Sequence, residues 1–574
     1  MNILGVNGGI HDTSAALLRD GQLVALVENE RLTRKKRAVM QSPATAIDHC
    51  LSRAGLALDD IDIIAVGWEY PNNPTRVGER YSAEEMLVYY EWMLNPEIPH
   101  QAIFGADRWT DQSGTLPSRR PPIRYFPHHV AHAAASMWTS GHDRAAVLIA
   151  DGRGELHSTS IGIGTFSSVN LTRTWDITQS LGNFYGFASE WTGLDFWDAG
   201  KLMGLAAYGD PQFSIPLNPT DDGYQLTCLT DEPWDRVDRR AEQQRIALRR
   251  SFEQCCFPFE DGDGTEIMAY ADFAASVQQA LEAAMLNLAR VAVEEAGSDN
   301  LVIGGGVGMN CSMIGALARS GAFADVYVPP FTYDAGVSLG AALMVAREQS
   351  GWAPLPRLDH AYLGHAPKDG DIEDELSGSG LVVRRLGPGE VATTTAQLLS
   401  DGAVVGWFQG RAEVGQRALG ARSIVGDPRR RRHLARINTL KGREMWRPLA
   451  PSVLAEYADD LFTGGVPHAT RFMLAACPVR PDVHPLMPAT VHVDGTARPQ
   501  LVSRDTNPAY WSMIDGFRQR TGVPAVVNTS FNLANEPIVY SPRDAVSTFI
   551  RSSLDALAIG DYLVTRSKPD GTGA

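Results

Sequence analysis

Residues 3–28 read ILGVNGGIHDTSAALLRDGQLVALVE, and their pattern decides the fold. An apolar run ends in a glycine-rich turn, a second ends at Asp20-Gly21, and a third follows. Apolar segments broken by Gly and Asp-Gly turns predict an antiparallel β-meander. The same strand, glycine turn, strand signature returns at 146–164, AVLIADGRGELHSTSIGIG. A unit that recurs in one chain points to a duplicated core. Over 270–297, ADFAASVQQALEAAMLNLARVAVEEAG spaces its apolar residues helically and closes on Gly297. NLVIGGGVGMN then reads as a buried strand running into a glycine turn. MIGALARSG predicts a helix, ADVYVPP a strand and DAGVSLGAALMVARE a helix. Such alternation is α/β.

A duplicated core with two glycine-rich hairpin turns matches the layout of actin-like and sugar-kinase-like folds, whose turns face each other across a nucleotide cleft. Residues 351–374, GWAPLPRLDHAYLGHAPKDGDIED, are rich in Pro, Gly and Asp and mark a boundary. The expected division is a first domain over 1–355, a linker over 356–374 and a second mixed α/β domain over 375–574. The closing segment DALAIGDYLVTR is free to pair with either domain. The chain has 574 residues, 44% hydrophobic and 21% charged, which suits a globular enzyme of two or three domains. No apolar run approaches the ~18 residues of a membrane span. The first residues read as a strand and not as a signal peptide, so a cytoplasmic protein is expected. A net charge of −16 argues against a general nucleic-acid binder. Six scattered cysteines form no C-x-x-C pair, so neither a zinc ribbon nor a disulfide framework is expected.

Four constellations carry chemistry. In PHHVAHAAAS, residues 127–136, a helix places His128 and His132 at i and i+4, close enough to share a metal, while His129 points elsewhere. The plainer alternative is a surface or capping pair. Asp151 ends an apolar strand and Asp334 follows another, where α/β proteins place ligands; as alternatives, Asp334 is an N-cap and Asp151 a turn residue. Two His and two Asp would make a mixed site suited to Fe(II), Mn or Zn. Second, glycines 304–308 after a buried strand let backbone N–H groups approach an anion or a nucleotide. Third, residues 411–447 hold eleven Arg or Lys against three Asp or Glu, a local balance of +8 on an acidic chain. Arg429 to Arg432 read as a solvated face. Arg417, Arg422, Lys441, Arg443 and Arg447 are interleaved with Gly, aromatic and Pro residues, as in loops that wrap a small polyanion. Nucleic acid is the competing reading. Fourth, PAVVNTSFNLANEPIV, residues 524–539, ends a strand in Asn528, Thr529, Ser530 and Asn532, either a simple polar turn or a contact to phosphate or carbamoyl groups.

Together these stretches resemble the O-carbamoyltransferases of the nodulation-protein-U and cephem carbamoyltransferase family, its tobramycin-type members most in pattern. The blocks are GVNGGIHDTSAALLRDG, ENERLTRKK, HHVAHAAAS, AGKLMGLAAYG, GGGVGMN, DAGVSLGAA, EVGQRALGARS, KGREMWRPLAPS and VNTSFN, in order along nearly the whole chain. The resemblance implies a duplicated actin-like domain like that of the tRNA threonylcarbamoyl transferase, followed by a threonylcarbamoyl-AMP synthase-like α/β domain. It implies that the second makes carbamoyl-adenylate from ATP and carbamoyl phosphate, and that the first passes the carbamoyl group to a hydroxyl of an antibiotic-type natural product. By motif match, His128, His132, Asp151 and Asp334 are the metal ligands, with Fe(II) favoured over Mn or Zn. Gly304, Gly305, Gly306, Gly308 and Asn310 would line the adenylate. His11 and Lys36 match positions near the acceptor and the carbamoyl group. Arg417, Lys441, Arg447, Arg498 and Ser530 match the ATP and carbamoyl phosphate site, with Arg443, Asn528 and Asn532 as neighbours. Lys201 matches a family block without an assigned role. Gln416 stands where the family often has Pro, and NGGIHDTS is shorter than in the tobramycin type.

A neutral imidazole accepts a proton near pH 7, so His11 is the candidate base for the acceptor hydroxyl; the alternative is a turn residue that only binds substrate. The expected partner is a small hydroxylated acceptor, an antibiotic or glycoside, with no nucleic acid or membrane; a homodimer is compatible. Two other readings stay open: a tRNA threonylcarbamoyl transferase, and a non-enzymatic actin-like nucleotide switch.

Overall fold

The computed structural model describes residues 1–8, 11–39, 41–68, 121–229, 237–259 and 266–566. The chain forms two compact units. The first comprises Met1–Thr33 and Arg37–Leu358, the second Arg34–Lys36 and Asp359–Ala574. The second unit therefore takes three residues from the amino-terminal region. It also includes a helix, Asp369–Leu376, that begins inside the stretch expected to be linker and runs past its end.

The opening stretch forms the meander. Strands β1 (Asn2–Asn7), β2 (Ser14–Arg19) and β3 (Gln22–Glu28) pair antiparallel, with Asn7 opposite Ser14 and Ser14 opposite Glu28. Asp20 and Gly21 both adopt positive φ, the left-handed backbone of a tight hairpin. Strands β4 (Ile63–Val66) and β5 (Ile123–Tyr125) extend the sheet in parallel, giving the order β3-β2-β1-β4-β5.

The duplication is explicit in the second sheet. Strands β6 (Arg144–Gly154), β7 (His157–Thr165) and β8 (Val169–Asp176) form another antiparallel meander. After the hairpin β9 (Leu217–Thr220) and β10 (Gly223–Leu226), β11 (Asn300–Gly304) pairs parallel with β6, and β12 (Asp325–Tyr327) pairs parallel with β11. Read from its far edge, this sheet is β8-β7-β6-β11-β12, the same path and the same strand senses as the first. The first unit is thus a duplicated actin-like fold. The Ala271–Ala296 helix ends on Gly297, whose φ of 59° makes it a left-handed cap.

One helix sets the packing around the site. Val337–Ala346 is apolar on all sides and buried along nearly its whole length, so it lies inside the unit. Its neighbours approach to backbone contact. A Cβ on Gly340 would sit 1.8 Å from the Ala131 carbonyl oxygen, and one on Gly5 would sit 1.9 Å from the Ser338 carbonyl oxygen. Helix His128–Met137, strand β1 and this helix therefore interlock through two glycines. Gly340→Ala has no room without backbone movement. It is expected to cost about 3 kcal/mol or more, read as a lower thermal unfolding midpoint by circular dichroism.

The second unit is built on one eight-stranded mixed sheet. In chain order its strands are β13 (Val382–Arg385), β14 (Val405–Phe408), β15 (Arg422–Gly426), β16 (Ala450–Leu454), β19 (Gln500–Val502), β20 (Ala525–Ser530), β21 (Ala556–Ile559) and β22 (Tyr562–Thr565). A separate pair, β17 (Cys477–Pro478) and β18 (Thr496–Ala497), lies outside it. The sheet order is β13-β22-β21-β14-β15-β20-β16-β19, so DALAIGDYLVTR is a hairpin, β21–β22, within this unit's own sheet. Trp407, Val425, Phe517 and Ala558 are among the side chains of one buried cluster, and Phe408, Ile424, Phe531 and Phe549 belong to another. Among the described residues no helix is long and apolar enough to cross a membrane.

Candidate functional site

The first unit gathers His128, His132, Asp151 and Asp334, and one ligand atom from each lies within 4.8 Å of every other. All four residues are buried. On the His128–Met137 helix the i, i+4 spacing brings the two Nε2 atoms to 3.1 Å. Asp151 Oδ2 lies 3.4 Å from His128 Nε2 and 3.3 Å from His132 Nε2. Asp334 Oδ1 lies 3.5 Å from each. The simpler roles do not hold. Asp334 begins a short 3-10 turn without capping it, and Asp151 sits inside β6.

Neighbouring groups aim these donors. The Gly67 carbonyl accepts from His128 Nδ1 at 3.1 Å, so Nδ1 is the donor on that side and Nε2 faces the centre. Trp68 stacks on the same ring at 3.9 Å. Glu155 accepts from the His128 backbone N–H at 3.0 and 3.1 Å, a carboxylate at a helix N-terminus. Asp151 Oδ1 accepts from Gly152 N at 2.8 Å and Gly306 N at 3.1 Å, leaving Oδ2 to the histidines. His129 turns away and bonds Ser160 Oγ at 2.7 Å.

The electrostatics fit a cation. Burial alone would depress His128, but the Asp334 and Asp151 carboxylates outweigh it and push the imidazole up to about 10. Burial would raise both carboxyls, yet the histidines hold Asp151 well below its usual range and Asp334 down to about 2. Two imidazoles and two carboxylates converging in a buried space are the donor set that could hold Fe(II), Mn(II) or Zn(II).

His11 adjoins this centre. Its Nδ1 lies 2.9 Å from Asp12 Oδ2 and 4.0 Å from Asp334 Oδ2. Burial opposes its charge, but Asp12, Asp334 and Asp151 push it up to about 9. The ring therefore keeps its proton at neutral pH unless positive charge arrives beside those carboxylates, which differs from the neutral imidazole expected from sequence. The Arg37 carbonyl, next to Lys36, accepts from the backbone N–H of Asp12, next to His11. Lys36 itself belongs to the second unit, where its charge helps depress Lys441.

The glycine loop is shaped by close approaches. Gly305 adopts a φ of 88°, and a Cβ there would meet the Ala150 carbonyl oxygen at 2.2 Å. A Cβ on Gly304 would meet Ser136 Oγ at 2.8 Å, and one on Gly308 would meet Thr332 Oγ1 at 2.7 Å. Gly306 reaches Asp151, so the loop touches the four-residue centre directly. Asn310 caps helix Cys311–Arg319 through Met313 N at 3.0 Å and exchanges hydrogen bonds with Gln278. Lys201 pairs with Asp198 at 2.8 Å.

The second unit assembles cations around Lys441. The ammonium donates to the Ser530 carbonyl, Ser530 Oγ (3.1 Å), the Asn532 carbonyl (3.0 Å) and Asn532 Oδ1 (2.6 Å). Burial, with Arg443, Arg447 and Lys36, drives it well below the ordinary lysine range. Arg443 donates to Asn438 Oδ1 at 2.6 Å, and burial with Arg447 and Arg498 brings it down to about 9. Arg443 Nη2 and Arg498 Nε are buried with no hydrogen-bond acceptor in the protein. Crowded cations with unmet donors suit an anionic ligand. Arg417 is half-buried. Asn528 is a strut, its Nδ2 donating to Ala418 O, Ser452 Oγ and Gln500 Oε1. Arg422 is fully buried, donates to the carbonyls of Gln409, Ala421, His365 and Gly410, and covers Phe408 at 3.8 Å. It braces loops and does not wrap an anion. Arg429 pairs bidentately with Asp427 and is not simply solvated.

Sequence reading passed over Glu155, Gly67, Trp68 and Asp12. Asp12 had a signal, standing next to His11 in the turn. The others reach the centre only through tertiary contacts.

Comparison with known proteins agrees with this layout. The chain is 39% identical to nodulation protein NolNO of Sinorhizobium fredii over 98% of this chain and 80% of that protein. It is 39% identical to nodulation protein NolO of Bradyrhizobium diazoefficiens over 77% of this chain and 79% of the relative. Nodulation protein U of Rhizobium tropici is 27% identical over 91% and 89%. The family models described as carbamoyltransferase N-terminus and carbamoyltransferase C-terminus match residues 2–343 and 396–566. With both models matched across its two units, the chain belongs to the carbamoyltransferase family and is a carbamoyltransferase enzyme.

Proposed function

We propose that this carbamoyltransferase is ATP-dependent and works in two stages. The second unit converts ATP and carbamoyl phosphate to carbamoyl-adenylate, and the first transfers the carbamoyl group to a hydroxyl of a small natural product, an antibiotic or glycoside. The observation that carries this reading is the pairing of two chemistries in one chain: a buried cationic site with unmet guanidinium donors, and a buried centre of two His and two Asp.

In the first stage water releases phosphate from carbamoyl phosphate, leaving carbamate. A carbamate oxygen then attacks the α-phosphorus of ATP, and pyrophosphate leaves. Arg443, Arg447, Arg498 and Lys441 bind the phosphates and offset the charge that builds on them. Ser530 and Asn532 hold the ammonium in place. In the second stage the acceptor oxygen attacks the carbamoyl carbon and AMP leaves. The glycine turn at 304–308 accommodates the adenylate phosphate, and His11, oriented by Asp12 and neutral only once positive charge offsets the adjoining carboxylates, takes the hydroxyl proton. His128, His132, Asp151 and Asp334 would hold a divalent metal, which would supply Lewis-acid polarisation of the carbamoyl group. Mass spectrometry of a reaction holding only protein, ATP, carbamoyl phosphate and Mn(II) is expected to detect carbamoyl-adenylate. ATP that stays intact, or is cut to ADP regardless of carbamoyl phosphate, removes the proposal.

Metal binding also has a pH signature. His128 must give up the proton that the carboxylates hold up to about 10. Affinity is therefore lost as pH falls. For one proton released, apparent Mn(II) affinity is expected to rise about tenfold per pH unit between roughly pH 6 and 8. Mn(II) electron paramagnetic resonance titrations check this, and a pH-independent affinity would contradict it.

A further inference from the structure

A buried carboxylate in the second unit bonds only one turn of backbone. Glu413 is 1% exposed. Its Oε1 accepts from the N–H groups of Leu419 at 2.6 Å, Arg422 at 3.2 Å and Ala421 at 3.3 Å. Its Oε2 has no hydrogen-bond partner among the described residues, so the turn is what the carboxylate holds. Bonds to an ionised acceptor are the strong ones, and several on one oxygen make a firm clasp. The rest of the turn is held as well. Asn528 donates to the Ala418 carbonyl at 3.0 Å, Gln500 and Tyr362 each donate to the Leu419 carbonyl at 2.6 Å, and Trp407 donates to the Gly420 carbonyl at 2.9 Å. Ser423 Oγ accepts from the Gly420 N–H at 3.0 Å. The carbonyls of 418–420 and the N–H groups of 419–422 are thus all met by side chains, where a loop ordinarily leaves such groups to water. Gly420 has a φ of 90°, and a Cβ there would meet the Tyr510 ring at 2.2 Å, so the turn also sits hard against an aromatic.

The place of this turn shows what the clasp serves. It begins directly after Arg417, which is half-buried. It runs into β15, where Ser423 pairs with Ser530 of β20. Ser530 Oγ accepts from the Lys441 ammonium, and Asn528, two positions back on the same strand, holds Ala418. Side chains two apart on a strand share a face. One strand therefore fixes Lys441 with one residue and the root of Arg417 with another. A carboxylate near a phosphate site opposes the ligand's charge, so its presence calls for a structural return, which the clasp provides. A guanidinium on a fixed backbone loses less freedom when it meets an anion, and its placement holds to the tolerance that phosphoryl chemistry needs.

We propose that Glu413 is a positioning residue for adenylate formation, fixing the turn from which Arg417 meets the phosphates. This rests on the two-stage reading above. The test follows acceptor-free pyrophosphate release by the full-length protein with Mn(II), varying ATP and carbamoyl phosphate in turn. R417A is expected to lower kcat/KM about a hundredfold for the substrate that the guanidinium meets, and E413A about thirtyfold for the same substrate. E413Q keeps an oxygen for the backbone N–H groups and is expected to recover most of the loss. The double variant decides. Positioning through Arg417 predicts that E413A/R417A falls no lower than R417A, whereas a loss of folded protein multiplies into both backgrounds. E413D keeps the charge but falls short of the turn; its loss of about tenfold should likewise vanish in the R417A background, and it replaces E413A if that variant does not fold. The proposal is overturned if the losses multiply, if E413A or R417A keeps wild-type kcat/KM, or if E413Q is as weak as E413A. Absence of carbamoyl-phosphate-dependent pyrophosphate in the wild type overturns the two-stage reading, and this proposal with it.

Discussion

Asp334→Ala is expected to lower carbamoyl transfer by about a thousandfold or more, while pyrophosphate release from ATP and carbamoyl phosphate continues. The carboxylate contributes in two ways. Its Oδ1 lies 3.5 Å from both His128 Nε2 and His132 Nε2, so it supplies one of four converging donors. Its charge also sustains the lift on His128 and His11. With it gone, His128 loses part of what holds its proton, but the remaining three donors no longer close around a cation. Mn(II) affinity should therefore fall despite easier deprotonation. Asp334→Asn separates these contributions, since it keeps an oxygen donor and removes the charge. The segment that carries Asp334 leads straight into the buried Val337–Ala346 helix, whose apolar packing should keep both variants folded. Product formation by mass spectrometry and Mn(II) binding are the readouts. An alanine variant with wild-type transfer would remove this centre from the reaction.

Lys441→Ala is expected to abolish the earlier stage, with a loss of about a thousandfold in pyrophosphate release. The lysine is buried and tied to Ser530 and Asn532, with three cations bearing on it. Those neighbours disfavour its charge in the absence of an anion. An arriving phosphate reverses the balance, so binding of carbamoyl phosphate should draw a proton onto the site. Calorimetry in buffers of different ionisation enthalpy measures that uptake, and Lys441→Ala should lose it. Arg498→Ala is a second probe that leaves the lysine anchor intact. Its Nε is a buried donor without an acceptor in the protein, so on the proposed reading truncation takes away a phosphate contact. Binding with no proton uptake in the wild type would place the depressed lysine outside the phosphate site.

The meander and its repeat were legible because strand periodicity and Gly turns act locally. Asp20-Gly21 and Gly297 adopt the left-handed backbone that their residue types favour. The His128–His132 pair was legible for the same reason, since one helical turn aligns the two rings. Asp151 and Asp334 were legible only as candidates, because each has an ordinary local role that the sequence cannot exclude. The approach of the Asp334 segment to the His128–Met137 helix goes with Gly340, whose helix meets the Ala131 carbonyl backbone to backbone. Glu155, Gly67 and Trp68 left no local signal, since each meets His128 across a loop. In the basic region, sign and spacing marked a cationic site but not which cation faced it. Arg422 and Lys441 occur in similar surroundings in sequence, yet Arg422 spends its donors on loop carbonyls. Membership of Arg34–Lys36 in the second unit was likewise invisible. It rests on Arg34 donating to Ile538 O at 2.7 Å and Pro537 O at 2.8 Å, contacts more than 500 positions away.

The central claim is that one chain divides carbamoyl transfer into adenylate formation and hydroxyl transfer. The most direct measurement follows pyrophosphate in the absence of any acceptor, for wild type, Asp334→Ala and Lys441→Ala, each with and without carbamoyl phosphate. The account predicts release that requires carbamoyl phosphate in the wild type and in Asp334→Ala, and none in Lys441→Ala. Release that is independent of carbamoyl phosphate, or that survives in Lys441→Ala but disappears in Asp334→Ala, would contradict it.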